Sequence, residues 1–304
     1  MLEVDGLTKK RRYFALQDVT FRIEPGCIMG LVGRNGAGKT TAIRMIVGGL
    51  KPDKGAVRIC GYDLLREGQQ ARDRIGFILE AMPFIQEYTL EENAGFFGPL
   101  YSVWDMDTFR RCLKKYDLSP KMSAKSLSRG MRVRFQLAFA LAHHPGVLVM
   151  DEPAAGLDPV FRREFYYELQ SAMEREEMSV LISTHVTADL DRIADYVTML
   201  ESGKMLFSDS CEALSDRYRV FCVAADDWDR FHGRYGARIL AAERKGSSYE
   251  VFAESGLCIS AGAGMQELNC FAGDRNPVER RAGLSDIMYY MIKRQTANHK
   301  ERAK

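Results

Sequence analysis

The sequence predicts an α/β fold with a mostly parallel sheet through about residue 208, on three observations. Short apolar runs recur at Ile28–Val32, 147–150 and 180–182, as strands buried on both faces require. Helical periodicity separates them. A glycine-rich stretch over 33–38 joins the first run to a helical pattern over 40–47. At 304 residues the chain has room for two domains. Its 46% hydrophobic and 28% charged content is that of a globular protein, not of a disordered or fibrous one.

Taken in order, Leu2 and Val4, then Val19, Phe21 and Ile23, alternate as strands do and close at the turn Pro25-Gly26. From about Glu80 the signals become helical: Thr89 with Glu92 three residues on is a capping box, and Ser128 precedes a long amphipathic stretch ending at His143 to Gly146. Asp158 and Pro159 predict an N-cap and first helical position, followed by an apolar face of Phe161, Phe165, Leu169 and Met173. A short helix around Leu190 and a hairpin turning at Ser202-Gly203 complete this part. Beyond residue 208 the pattern predicts a smaller α+β domain over 209–304. It has strands at 220–223 and 249–252, a small-residue patch at 260–264, a helix over 284–292 and a polar tail that frays from Lys293.

Charge and cysteine usage narrow the classes. A net charge of +2 gives no support to a surface that coats nucleic acid. The basic run 9–12 reads either as a solvated or ligand-facing edge or as a small patch for nucleic acid or anionic lipid. Seven cysteines, odd in number and without a C-x-x-C pair, predict buried thiols in a reducing compartment, with neither a disulfide nor a zinc framework. The start MLEVDGLTKK is too charged for a secretory signal, and no run approaches the roughly 18 apolar residues of a membrane span. A cytoplasmic chain is expected, able to sit on a membrane through a partner.

The chemistry concentrates in one loop. Gly33, Arg34, Asn35, Gly36, Ala37, Gly38, Lys39 and Thr40 fit G-x-x-x-x-G-K-[ST] at every fixed position, between a predicted strand and a predicted helix. Glycines let backbone N–H groups turn inward, and the helix presents its positive end, so a polyphosphate belongs there. Lys39 supplies a point charge to the β and γ phosphates, Thr40 a hydroxyl ligand for Mg²⁺, and Thr41 extends the phosphate-binding set. Asp151 and Glu152 follow the apolar run 147–150, at the strand end where open α/β sheets bind ligands. Asp151 suits Mg²⁺ through water, and Glu152 suits the deprotonation of an attacking water.

The remaining motifs make the series recognisable. Leu127-Ser128-Arg129-Gly130-Met131 precedes the acid pair, Ala155-Gly156-Leu157-Asp158 follows it, and Ser183-Thr184-His185 ends the next strand. In this order the motifs resemble the ATP-binding subunit of an ABC transporter, over residues 2–208, and the wording around the signature is most similar to ABC-2-type exporters. The resemblance implies a P-loop NTPase core with an antiparallel β subdomain and a helical subdomain at about 82–145. It also implies ATP and Mg²⁺ as ligands, a homodimer or paralogous ATPase partner, and a separate membrane-embedded permease through which the chain sits on the inner face of the cell membrane. Ser128 and Gly130 match the loop that closes over the γ-phosphate held by the opposite subunit, and His185 matches the switch histidine beside Glu152. Absence of an N-K-x-D motif disfavours guanine. A soluble ABC ATPase with a regulatory or nucleic-acid role is the alternative reading.

Three positions depart from the family's pattern. Glu80 stands where the lid loop usually has glutamine, and is expected to keep a metal-sensing role. Arg129 replaces a glycine in the signature and reads equally as a contact to a trans phosphate or as a solvated side chain. The position that usually stacks an aromatic on adenine falls on Arg11, so Tyr13 is the assigned base contact, with Phe14 or Arg11 as alternatives. Finally, the aromatics Phe84, Tyr88, Phe96, Phe97, Tyr101 and Trp104 read either as the helical insert's own core or as a groove for a membrane subunit's cytoplasmic helix.

Overall fold

A computed structural model of the chain describes residues 2–176, 178–255 and 277–302. They form two compact units, one of Met1–His185 with Ile193–Ser208 and the other of Val186–Arg192 with Asp209–Lys304.

The first unit opens with β1 (Leu2–Arg11) and β2 (Phe14–Ile23), an antiparallel pair in the register Leu2 to Ile23 and Arg11 to Phe14. Leu2 and Val4 are buried while Glu3 and Asp5 turn away, as alternation dictates, and a register shift between Val4 and Leu7 breaks the alternation so that Leu7 is buried too. The buried strand β3 (Ile28–Val32) leads through the glycine loop into α1 (Lys39–Ile46). Next come β4 (Lys54–Ile59) and β5 (Tyr62–Asp63), which extend the antiparallel edge beside β1, then α2 (Gly68–Asp73) and β6 (Ile75–Ile78). Three helices follow, α3 (Leu90–Phe97), α4 (Met106–Lys115) and α5 (Arg129–Leu141). The chain returns as β7 (Val147–Asp151), α6 (Pro159–Glu176), β8 (Ser179–Thr184), β9 (Tyr196–Glu201) and β10 (Lys204–Ser210).

One ten-stranded sheet results, in the order β5-β4-β1-β2-β10-β9-β3-β8-β7-β6. Its β9-β3-β8-β7-β6 half is parallel, so β3, β7 and β8 all end on one edge. Every residue of those three strands is buried, which is why the sequence shows them as unbroken apolar runs.

The helical insert is held by its caps and its rings. Thr89 Oγ1 accepts from the Glu92 N–H at 3.2 Å while the Thr89 N–H donates to Glu92 Oε2 at 2.8 Å, the reciprocal box read from the sequence. Fully buried Asn93 accepts from the Ile85 N–H and donates to the Ile85 and Thr89 carbonyls, fixing the entry to α3. Phe84 lies against Phe135 and Phe139 with centroids 4.6 and 4.8 Å away, and Trp104 is 4.7 Å from Phe139. Phe96 and Leu100 are instead 58% and 64% exposed. Phe84 and Trp104 thus pack as the insert's own core, the first of the two readings, while Phe96 stands on the surface.

The second unit contains α7 (Cys211–Arg217), β11 (Tyr218–Ala224), α8 (Trp228–Tyr235), β12 (Ile239–Lys245), β13 (Ser248–Glu254), β14 (Val278–Arg281) and α9 (Leu284–Arg302). Its antiparallel sheet runs β12-β13-β11-β14. Phe221, Val223, Val251 and Ala253 pack with Phe231 of α8, and on the opposite face Phe252 stacks on Tyr290 of α9 at 5.0 Å. From Lys293, where the sequence predicts a polar tail, α9 continues to Arg302 through a stretch without Gly or Pro, and Lys293 pairs with Glu243 at 3.3 Å. The small-residue patch at 260–264, with Cys258 and Cys270, lies outside the described residues. None of the five described cysteines is in a disulfide.

A histidine in the insert makes stability depend on pH. His143 is 2% exposed and stacked on Tyr101 at 4.0 Å, and burial holds its pKa down at about 4 against an ordinary 6.5. Below pH 6.5 the unfolded chain takes up a proton that the folded chain refuses, so stability falls until the folded pKa is reached. Denaturant titrations are expected to show a loss of about 3 kcal/mol between roughly pH 6.5 and 4 that His143→Phe removes. An equal loss in both proteins contradicts this assignment.

Candidate active site

The phosphate loop takes its shape from two glycines. Gly33 sits at φ 156°, and a Cβ there would stand 2.3 Å from the Leu200 carbonyl oxygen. Gly38 sits at φ 114°, and a Cβ there would meet Leu16 Cδ1 at 2.6 Å and the Phe14 ring at 2.9 Å. Only glycine allows this close approach with left-handed backbone. The turn is tied by the Ala37 N–H donating to the Arg34 carbonyl at 3.0 Å, and α1 starts at Lys39 without a side-chain cap, leaving its first amides for a ligand.

Lys39 is 5% exposed and bends back so that Nζ donates to the Gly33 carbonyl at 2.7 Å. The same ammonium stands 3.3 Å from Glu152 Oε1. Glu152 in turn places Oε2 2.9 Å from Nδ1 of His185. Three side chains from three strand ends therefore form one connected set: the loop after β3, the residue after β7 and the residue after β8. Glu152 achieves this with φ 50°, left-handed backbone that a glutamate adopts only under constraint. Its N–H supplies the constraint by donating to the Ser183 carbonyl at 3.1 Å.

Asp151 is 5% exposed and accepts from Ser183 Oγ at 2.5 Å. Thr40 lines the cleft, as does Glu152, whereas its neighbour Asp151 does not; a hydroxyl and a buried carboxylate are hard oxygen donors of the kind Mg²⁺ prefers.

The cleft has a volume of about 600 Å³. Arg34, Asn35, Gly36, Gly38, Lys39, Thr40, Thr41, Glu80, Glu152 and His185 line it, together with Arg11, Phe14 and Ala155. Tyr13 does not. Its ring is 85% exposed and lies under the Arg12 guanidinium, whereas Arg11 and Phe14 face the cleft. Ser128 and Gly130 also stand outside it. Ser128 caps α5, its Oγ accepting from the Met131 N–H at 3.3 Å, and Gly130 abuts the Phe161 ring.

The two charged departures meet each other. Arg129 Nη2 is 3.9 Å from Glu80 Oε1, and the same guanidinium lies against Gly156. Both side chains are half or more exposed, so this pair is a weak, screened contact. One further contributor was not legible in the sequence: Gln136 of α5 bonds both the N–H and the carbonyl of Leu79, at 3.0 and 3.2 Å, and so fixes the backbone next to Glu80. Gln136 carries no local signal, since its partner is 57 residues away.

Comparison with known proteins agrees with this geometry. Residues 16–155 match the ABC transporter family. The ABC transporter ATP-binding protein NatA of Bacillus subtilis (strain 168) is 31% identical over 217 residues, spanning 69% of this chain and 88% of NatA. The bacitracin transport ATP-binding protein BcrA of Bacillus licheniformis is 30% identical over 209 residues, 68% of either chain. A solved structure described as an ATP-binding subunit of an ABC transporter superposes with a TM-score of 0.62 at 28% identity, over 70% of this chain and 91% of that one. A nucleotide loop built this way, on a sheet of this order and with relatives this close, places the chain in the family of ABC transporter ATP-binding proteins.

Proposed function

We propose that the chain is the ATP-hydrolysing subunit of an ABC-2-type exporter. The observation that carries the reading is the linked set Lys39, Glu152 and His185 at the mouth of the phosphate loop. Bound there, the triphosphate has its β and γ phosphates on the loop amides and Lys39. Glu152 takes a proton from the attacking water, whose oxygen bonds to the γ-phosphorus as the bond to the bridging oxygen breaks and ADP leaves. His185 holds Glu152 and the terminal phosphate in register. Thr40 and Asp151 would hold a Mg²⁺ ion, which would supply positive charge to offset that of the phosphates, and Glu80 at the cleft wall would sense it.

The position of the signature supports a two-subunit site. Ser128, Gly130 and the positive end of α5 lie apart from their own chain's cleft, so their helix dipole is free for a phosphate on another copy or a paralogue. Closure on ATP and reopening after hydrolysis then drive the permease. Its docking place is the exposed set Tyr88, Phe96 and Leu100 on the helical insert, an apolar face suited to a short amphipathic helix. No helix among the described residues is long and apolar enough to cross a membrane, which fits a subunit that reaches the inner face of the membrane through that partner. The name of the Nod factor export ATP-binding protein I, a relative 34% identical over 205 residues, supports export as the direction.

Three outcomes test this reading. Glu152→Gln is expected to slow ATP turnover about 100-fold or more while the protein still retains ATP as a closed dimer, read by phosphate release and size-exclusion chromatography; unchanged turnover overturns the role of Glu152. Lys39→Ala is expected to weaken ATP binding about tenfold or more in a calorimetric titration. The double substitution Phe96→Ala with Leu100→Ala is expected to abolish co-purification of a multi-span membrane partner and to leave ATP affinity within about twofold, since both side chains are exposed. Co-purification of nucleic acid instead would favour a soluble role.

A further inference from the structure

Residues 186–192 follow His185 directly in the chain, yet they belong to the C-terminal unit and not to the unit that carries the rest of the site. Two side-chain ties hold them there. Thr187, 3% exposed, shares a hydrogen bond of 2.7 Å between its Oγ1 and Ser285 Oγ. Asp191 Oδ1 accepts from the Leu284 N–H at 2.8 Å. Between the two, Leu190 is fully buried.

The second tie answers a need of α9. That helix begins at Leu284, after Gly283, and glycine has no side chain with which to cap the first amides. Asp286 reaches back to the Gly283 N–H at 3.0 Å, which is half of a reciprocal cap. Asp191, 93 residues earlier, serves the next amide and sets a negative charge at the positive end of the helix. The segment after His185 is thereby committed to the start of α9. With 43% of its side chain exposed, His185 is held by the Glu152 carboxylate and by its own backbone rather than by packing.

We propose that Asp191 and Thr187 are positioning residues for His185, through which the C-terminal unit sets the rate of hydrolysis without touching the nucleotide. The inference rests on the ATPase reading above. Unlike that reading, it assigns a purpose to the region beyond residue 208 and to the chain between Val186 and Arg192.

The test uses the full chain, with ATP turnover and the ring resonances of its five histidines as readouts. Asp191→Ala is expected to lower kcat about tenfold with KM for ATP held within about twofold, and to shift the His185 resonance while those of His143 and His144 stay in place. Asp191→Asn, which keeps an oxygen acceptor for the Leu284 N–H, is expected to restore both. Thr187→Val is expected to give the same changes at smaller size, so the claim does not depend on one variant's folding. An unmoved His185 resonance overturns the proposal whatever the turnover, and so does movement shared equally by all the histidines. A wild-type chain without ATP turnover overturns the ATPase reading instead, and the resonances still decide the positioning claim.

Discussion

A buried ammonium has to be surrounded by oxygen, and Lys39 imposes that demand on everything near it. Its Nζ lies within hydrogen-bonding reach of the Gly33 carbonyl and 3.3 Å from a Glu152 carboxylate oxygen. Loss of either partner would leave a charge in a site that is 95% shielded from solvent, a penalty that well exceeds the worth of an exposed ion pair. The loop must therefore curl tightly enough to bring its own carbonyl back, which is why a Cβ at Gly33 would strike Leu200. The sheet must also deliver its acid at the same height, which is why β3, β7 and β8 run parallel and end together. Glu152 meets the requirement at the cost of a left-handed backbone, and passes the alignment on to His185.

The same electrostatic logic accounts for the two charged departures. A glutamate in the lid loop adds a negative charge beside a triphosphate, and an arginine in the signature adds a positive one at the N-terminus of α5. Either alone works against its surroundings: the glutamate repels phosphate, and the arginine opposes its own helix dipole. Standing 3.9 Å apart, each offsets part of the other's field. The exposed geometry makes the pair easy to separate.

What could be read from the sequence follows from the range of the interactions. The phosphate loop, the capping box at Thr89, the Asp158 N-cap and the three buried strands are local: each needs only residues within a few positions, and each stands where it was expected. Contacts across long separations left no such trace. Gln136 on Leu79, Ser183 on Asp151 and Asp191 on Leu284 each join elements from 32 to 93 residues apart. The choice between Tyr13 and Phe14 at the cleft depends on which side of the β1–β2 turn faces α1, and alternation alone did not fix it across a strand pair with two register shifts. In the C-terminal unit, β12 and β14 carry too many charged residues to stand out, and α9 continues past Lys293 through residues too polar to show an apolar face.

The central requirement is that the loop amides and Lys39 grip the terminal phosphates, with the adenine end contributing less. Calorimetric titration of the wild-type chain with ATP, ADP and AMP in magnesium buffer measures this directly. Affinity is expected to fall by about 100-fold or more from ATP to AMP, because AMP reaches neither Lys39 nor most of the loop amides. Equal affinity for ATP and AMP, or no binding of either, would contradict it.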